Sequence, residues 1–421
     1  MTAAPEQPSL LPDLAPMPEL LQGDARALPL PDSSVDLIVT SPPYFGLRDY
    51  GTPGQLGAEP TPAEFIAALI ECTREMVRVL KPSGSIFVNL GDKYAQKTER
   101  SRNGAGARKT TQPGGLQSGA YQGETVQLAG RDYGVPQKSL TLLPERYRIA
   151  AVDELGLIAR AVIVWSKPNG LPESVTDRVR RSHEDWVHLT RSPKYFASVD
   201  EIREPYGERH GGGRSLAAQT AARLVQPGPR QTGLDDPAVN PLGKLPGSVW
   251  TIPTQPLRVP AELGIDHFAA FPMEWPRRII AGWCPAEVCT ACGEGRRPVV
   301  DRKPMPTAAK RDPNRSAAML DASRGDAGRT NSGQEFNTWR AANPETITGY
   351  ACACPDTTAP STPGVVLDPF SGTGTTALVA TMLGRRGIGV ELNPDYVRLA
   401  EWRAQDPKQR AKAAGPGTAC A

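Results

Sequence analysis

Val365-Val366-Leu367-Asp368 runs into Pro369-Phe370-Ser371-Gly372-Thr373-Gly374 and then into an apolar helical pattern. This reads as a strand, a tight glycine turn and a helix, and it constrains the fold more than any other stretch. Gly372 and Gly374 permit positive φ and close backbone approach to a ligand. The helix N-terminus behind them favours polar or negative groups. A second strand is expected at 387–391, reached through a helix at 375–383. It ends on Glu391, seventeen residues past Gly374, where an acid accepts hydrogen bonds from a ribose diol. Only thirty residues follow Glu391, too few to complete a nucleotide-binding sheet. Strands at 20–22 and 35–40 are therefore expected to continue the sheet opened at Val365.

Elsewhere short apolar runs alternate with helical patterns, which favours a parallel α/β sheet. Apolar residues at helical spacing (Phe65, Ile66, Leu69, Ile70, Met76, Val77, Leu80) predict a helix over 63–80 that stops before Lys81-Pro82. Further helices are expected at 143–155 and 275–281, and strands at 85–90, 159–165 and 184–190, the last paired with 195–196. Residues 206–256 read as loop. No run approaches the ~18 apolar residues of a membrane span. The acidic, proline-rich stretch 1–18 lacks a signal pattern, so a cytoplasmic protein is expected. A net charge of +3 does not itself demand a nucleic-acid partner. Locally, residues 95–138 carry seven Lys/Arg against three acids and read as a flexible basic loop.

Gly372-Thr373-Gly374-Thr375-Thr376-Ala377 fits G-x-G-x-x-A, so a dinucleotide must be weighed, as must a ligand-free turn. Asp368-Pro369 stands where a dinucleotide turn has glycine, and Thr40-Ser41-Pro42-Pro43-Tyr44 has no role in hydride transfer. S-adenosylmethionine is the better expectation. The proline block suits transfer to an exocyclic amine of a base, a poor nucleophile because its lone pair is delocalised into the ring. The Ser41 hydroxyl and the Pro42 carbonyl can accept from its N–H groups. Pro42 and Pro43 fix φ and hold that carbonyl without reorganisation. Tyr44 offers a ring on which an extruded base stacks. The plain alternative is a proline turn with a packed tyrosine.

These blocks, with Gly23-Asp24, residues 35–44 and 84–89, Trp165-Ser166-Lys167-Pro168-Asn169, Phe271-Pro272 and residues 389–396, resemble the DNA amino-methyltransferases of the beta arrangement. In those enzymes the catalytic motif precedes the cofactor motif. The resemblance covers most of residues 20–404. It implies a Rossmann-like S-adenosylmethionine-dependent methyltransferase fold, circularly permuted, acting on double-stranded DNA. By resemblance Ser41, Pro42, Pro43 and Tyr44 are catalytic. Asp24, Thr40, Phe271, Pro272, Asp368, Pro369, Phe370, Ser371, Gly372, Gly374, Thr375, Thr376, Glu391 and Asn393 bind the cofactor. Asp24 would meet its adenine, and 267–271 with the following helix would wall its methionine end. An S-P-P-Y block implies cytosine N4 as the acceptor; adenine N6 with the same machinery is the alternative. Cytosine C5 chemistry fits poorly, because no Pro-Cys dipeptide occurs. A restriction endonuclease sharing the site is left open, as is the oligomeric state.

Cys289-Thr290-Ala291-Cys292-Gly293 and Cys352-Ala353-Cys354 are two close pairs, and Cys289, Cys292, Cys352 and Cys354 suit a structural Zn²⁺. The alternative is four unliganded thiols. The fifty-nine residues between the pairs carry ten Lys/Arg and seven Asp/Glu and read as a loop-like flap. The expected organisation is a flexible 1–19, a catalytic half at 20–196, and target recognition at 197–256. A pocket helix at 257–288 follows, then the knuckle and insertion at 289–354, a cofactor half at 363–404 and a flexible 405–421. Backbone contacts to DNA are expected from 95–138 and around Arg178, Arg180, Arg181, Arg203, Arg209 and Arg214. A non-catalytic zinc-containing DNA-binding protein is the reading of a different class.

Overall fold

The computed structural model describes residues 16–47, 51–95, 133–170, 172–204, 244–265, 270–301, 346–354 and 358–415. The chain divides into two units, Met1–Ser198 with Gly247–Gly295 and Thr358–Ala421, and Val199–Pro246 with Arg296–Thr357. In chain order the larger unit contributes β1 (Glu19–Gln22), β2 (Val35–Thr40), α1 (Pro62–Val79), β3 (Leu80–Leu90), α2 (Leu143–Leu155), β4 (Ile158–Ser166), β5 (His183–Thr190) and β6 (Val249–Thr251). It continues with α3 (Glu274–Trp283) and β7 (Glu287–Cys289). The smaller unit then supplies β8 (Arg297–Asp301) and β9 (Thr346–Ala351), an antiparallel pair. The larger unit resumes with β10 (Ser361–Pro363), β11 (Val365–Asp368), α4 (Thr375–Met382), β12 (Arg386–Glu391), α5 (Pro394–Gln405) and α6 (Pro407–Ala414).

Eight of these strands form one mixed sheet in the order β1-β12-β11-β2-β3-β5-β4-β6. β1 lies parallel to β12, with Gln22 opposite Glu391, and β11 lies parallel to β2, with Leu367 opposite Ile38. Early and late strands therefore share one sheet, as the short tail after Glu391 led us to expect. Side chains reinforce the seam. Asp36 Oδ2 accepts from the Val365 N–H at 2.9 Å, and Thr40 Oγ1 donates to Asp368 Oδ1 at 2.6 Å.

The two-residue period of the strands sorts the core onto two faces. Ile86, Val88, Leu90, Val187 and Leu189 join the cluster that includes Phe65, Leu69 and Met76 of α1 and Tyr147 of α2. Their neighbours on the opposite face are aromatic. Phe87 stacks on His188 at 4.1 Å, and Trp275 of α3 stacks on both Trp186 and Trp250 at 5.0 Å. α1 starts where its sequence says it should: Thr61 caps it by accepting from the Glu64 N–H at 3.2 Å, and Pro62 opens it.

Several expectations change. Residues 195–196 form no strand, because β5 is already paired on both edges by β3 and β4. Phe196 is instead buried, its N–H donating to the Ser83 carbonyl at 2.8 Å. Residues 407–414 are the helix α6, capped by Asp406 and seated by buried Arg410 and Ala413, not a flexible tail. β6 lies within the range expected for target recognition, yet it belongs to the main sheet. β8 and β9 give the 289–354 insertion a ladder at its base. Residues 96–132, 205–243, 267–269 and 302–345, with Arg209 and Arg214, lie outside the described residues.

Candidate active site

β11 ends in the expected turn. Gly372 sits at φ +51° and Gly374 at φ +71°, both in the left-handed region that glycine favours. Among the described residues a Cβ on Gly372 would meet nothing within 4 Å, so the turn presents bare backbone there. A Cβ on Gly374 would press on Ala400 Cβ at 3.0 Å, so that glycine serves the packing of α5. Glu391, at the end of β12, is clamped from both sides. Its Oε2 accepts from the Gly372 N–H at 2.7 Å and its Oε1 from the Asn393 N–H at 2.9 Å. Burial raises the pKa of this carboxyl, and the backbone N–H bonds oppose that rise. Behind the turn, buried Arg403 donates to Thr373 Oγ1 and Thr375 Oγ1, each at 2.7 Å. Desolvation lowers the pKa of that guanidinium to about 10.

Ser41, Pro42, Pro43 and Tyr44 follow β2 and line the same cleft as Pro369, Phe370, Gly372, Glu391 and Asn393. The cleft has a volume of ≈ 1710 Å³, against roughly 300–1,000 Å³ for a site holding one small ligand. It has room for a cofactor and a second planar group. Tyr44 is held by partners distant in sequence. Its hydroxyl donates to Glu184 Oε2 at 2.8 Å and accepts from Asn89 Nδ2 at 3.0 Å. Asn89 also reaches Glu184 Oε2 at 3.2 Å. Lys167 pairs with Glu184 Oε1 and lies 4.2 Å from the Trp165 ring centroid. Burial, then the Glu184 charge, drive the Tyr44 phenol well above its usual pKa, so it stays protonated and donates. A Cβ on Gly91 would lie 2.7 Å from Tyr44 Cε2, so only glycine leaves space for the ring there.

Asp24 and Phe271 also line the cleft, and Arg26 Nη2 holds the Asp24 carboxylate at 2.6 Å. That guanidinium lowers the Asp24 pKa. The remaining expected residues, Pro272 apart, lie beneath the cleft. Thr40 and Asp368 are fully buried and bonded to each other, so they fasten β2 to β11. Thr376 Oγ1 donates to the Val39 carbonyl at 3.1 Å, Thr375 accepts from Arg403, and Ser371 is buried below the turn. Pro272 lines a separate shallow depression with Thr251 and Arg277. Glu184 and Arg403 were missed. Neither sits in a motif, and only a fold that aligns β3, β4 and β5 brings Glu184 to Tyr44. Asn89 and Lys167 stand within matched segments that gave no hint of their bonds.

Cys289 and Cys292 form a compact knuckle in the larger unit. The Gly293 N–H donates to the Cys289 carbonyl at 2.9 Å, and Gly293 lies at φ +73°. Cys352 and Cys354 belong to the smaller unit and are half-buried.

Among the described residues no helix is long and apolar enough to cross a membrane. The DNA methylase family model for N6 and N4 enzymes matches residues 35–287 and 357–402. Type II methyltransferase M.Cfr9I of Citrobacter freundii is 30% identical over 388 residues, 92% of this chain and 87% of that one. Type II methyltransferase M.SmaI of Serratia marcescens is 28% identical over 389 residues, 91% of this chain and 90% of that one. A solved PvuII DNA methyltransferase, described as cytosine-N4-specific, aligns over 94% of each chain at 17% identity with a TM-score of 0.47, too loose a match to argue from. The matched span takes in both the proline block and the glycine turn, and the chain belongs to the N6/N4 DNA methylase family.

Proposed function

We propose that this enzyme transfers a methyl group from S-adenosylmethionine to the N4 amine of cytosine in double-stranded DNA, through a circularly permuted methyltransferase fold. One observation carries the reading: Ser41-Pro42-Pro43-Tyr44 and the Gly372–Glu391 clamp line a single cleft. The clamp fits the cofactor. Glu391 keeps lone pairs for a ribose diol after accepting two backbone N–H bonds, and Gly372 lets a ligand approach the turn closely. When bound, S-adenosylmethionine supplies an electrophilic methyl on a sulfonium. Ser41 Oγ and the Pro42 carbonyl accept the amine's N–H bonds and draw its lone pair out of the ring. Tyr44, fixed by Glu184 and Asn89, holds the base by stacking. No protein nucleophile is needed, and the surplus proton leaves to water after transfer. A neutral hydroxyl at Ser41, where adenine enzymes of the family carry an acidic or amide residue, supports cytosine over adenine.

The test is to methylate mixed-sequence DNA, digest it to nucleosides and identify the product by mass spectrometry. N4-methyldeoxycytidine is expected. N6-methyldeoxyadenosine would overturn the choice of base, and no methylated nucleoside would overturn transfer itself. We also propose structural Zn²⁺ on Cys289, Cys292, Cys352 and Cys354, carried by the thiolate donor set and the knuckle turn at Gly293. Elemental analysis of the purified protein should find about one zinc per chain; a metal-free, fully folded protein would refute it.

A further inference from the structure

The connection from β4 to β5 places both of its ends in the cleft, Pro172 and Glu173 on one side and Arg181 on the other. Between them the chain is pinned. Arg178 Nη1 donates to Glu173 Oε2 at 2.7 Å, and its guanidinium lies 3.8 Å from the Tyr94 ring centroid. Arg180 Nη1 donates to the Gly170 carbonyl at 2.8 Å, and Asp177 Oδ2 accepts from Lys138 Nζ at 2.6 Å. Val179 sits among these anchors and is 85% exposed, the highest value for any large apolar residue described. A lone exposed valine is ordinary on a protein surface. This one is held out by a braced loop, two residues before Arg181, which lines the cleft together with Tyr44.

We propose that Val179 is a wedge that enters the base stack of duplex DNA as the target base leaves it. The proposal rests on the transfer reading above, because only a base drawn out to Tyr44 leaves a gap to fill. Unstacking is costly, and an apolar side chain that takes the vacated space recovers part of that cost. Val179 is one residue from both Arg178 and Arg180, and a phosphate that approached would compete with Glu173 for the Arg178 guanidinium. The bracing of the loop by Glu173, Tyr94 and the Gly170 carbonyl means little order has to be gained on binding.

The methylated position is first located by sequencing DNA from cells that express the enzyme, and a short duplex is built around it. A second duplex carries a mismatch opposite the target base, which is then already loose. Val179→Gly and Val179→Asp should lower kcat/KM on the matched duplex by about tenfold or more. Val179→Leu should stay within about twofold of wild type, and on the mismatched duplex the Gly and Asp variants should recover to within about twofold. Affinity for S-adenosylmethionine should not move. An equal loss on both duplexes would mean a merely structural role and would overturn the wedge, as would no loss on the matched one. Wild-type protein that methylates no DNA would instead overturn the transfer reading, and the wedge with it.

Discussion

Asp368 and Thr40 show, at the scale of single residues, a structural task that a motif does not announce. Both stand in blocks that the family resemblance assigns to cofactor contact. The fold turns them away from the cleft and bonds them to each other across β2 and β11. Asp368 Oδ1 accepts from Thr40 and from the Phe370 N–H, and the carboxyl is fully buried. Burial raises its pKa to about 6, and the bonds from Thr40 and Phe370 oppose the rise. The folded protein thus holds this proton more tightly than the unfolded chain, whose aspartate titrates near ~3.9. The associated stability is fully present below about pH 4 and is lost as pH rises through 6. A rise of this size corresponds to on the order of 3 kcal/mol. Asp368→Asn keeps the acceptor for Thr40 and Phe370 and removes the titration. Its thermal midpoint should exceed that of wild type at pH 8, and the gap should close as pH falls to 4. A gap that does not change with pH would refute the assignment. The network around Tyr44 was illegible for the opposite reason: Glu184 lies 140 residues away, and no local pattern marks it.

Among the elements, those whose signals are local were legible. α1 is announced by Thr61-Pro62 and by its apolar spacing, and β2 by the apolar run Leu37-Ile38-Val39 in a strand buried throughout. α2 was legible in its extent but not in what starts it. Its N-cap residue, Leu142, lies at φ 59° and offers no capping side chain. The missing cap comes from Asp92, fifty residues earlier, which follows β3. Asp92 Oδ1 accepts from Thr141 Oγ1 at 2.7 Å and from the Leu143 N–H at 3.2 Å, and its Oδ2 accepts from the Leu142 N–H at 3.1 Å. A carboxylate at this end also meets the positive pole of the helix. Asp92→Ala should therefore destabilise the protein by about 1–2 kcal/mol, the usual cost of a lost helix cap. Denaturant titration should show a lower midpoint with an unchanged slope, since the same surface is exposed on unfolding. A midpoint equal to wild type would show that the cap is dispensable.

The whole molecule depends on closing its sheet between distant parts of the chain. Thr40 and Asp368 are 328 residues apart, and the bond from Val365 to Asp36 spans 329. That closure was legible because the Ser41–Tyr44 block and the Gly372 turn can serve one reaction only if their strands share a sheet. It also makes one cleft from residues of both halves. Cofactor held at Gly372 and Glu391, as proposed, would sit against the seam, and the seam carries Ser41 to Tyr44. A ligand that binds only the folded state adds roughly 2.7 kcal/mol of stability at a concentration of 100 Kd. Hydrogen exchange with and without S-adenosylmethionine should then show protection in two places at once. Amides of the turn, Phe370 and Gly372, should slow because cofactor covers them. Amides at the end of β2 should slow with them, although the cofactor clamp belongs to β11 and β12, because opening either half breaks the Thr40–Asp368 bond. Protection confined to residues near 370 and 391, with exchange at 38–44 unchanged, would mean that the halves open independently. The proline block would then not be preorganised by the cofactor half, and the Ser41 and Pro42 acceptors would have to be set by the incoming base instead.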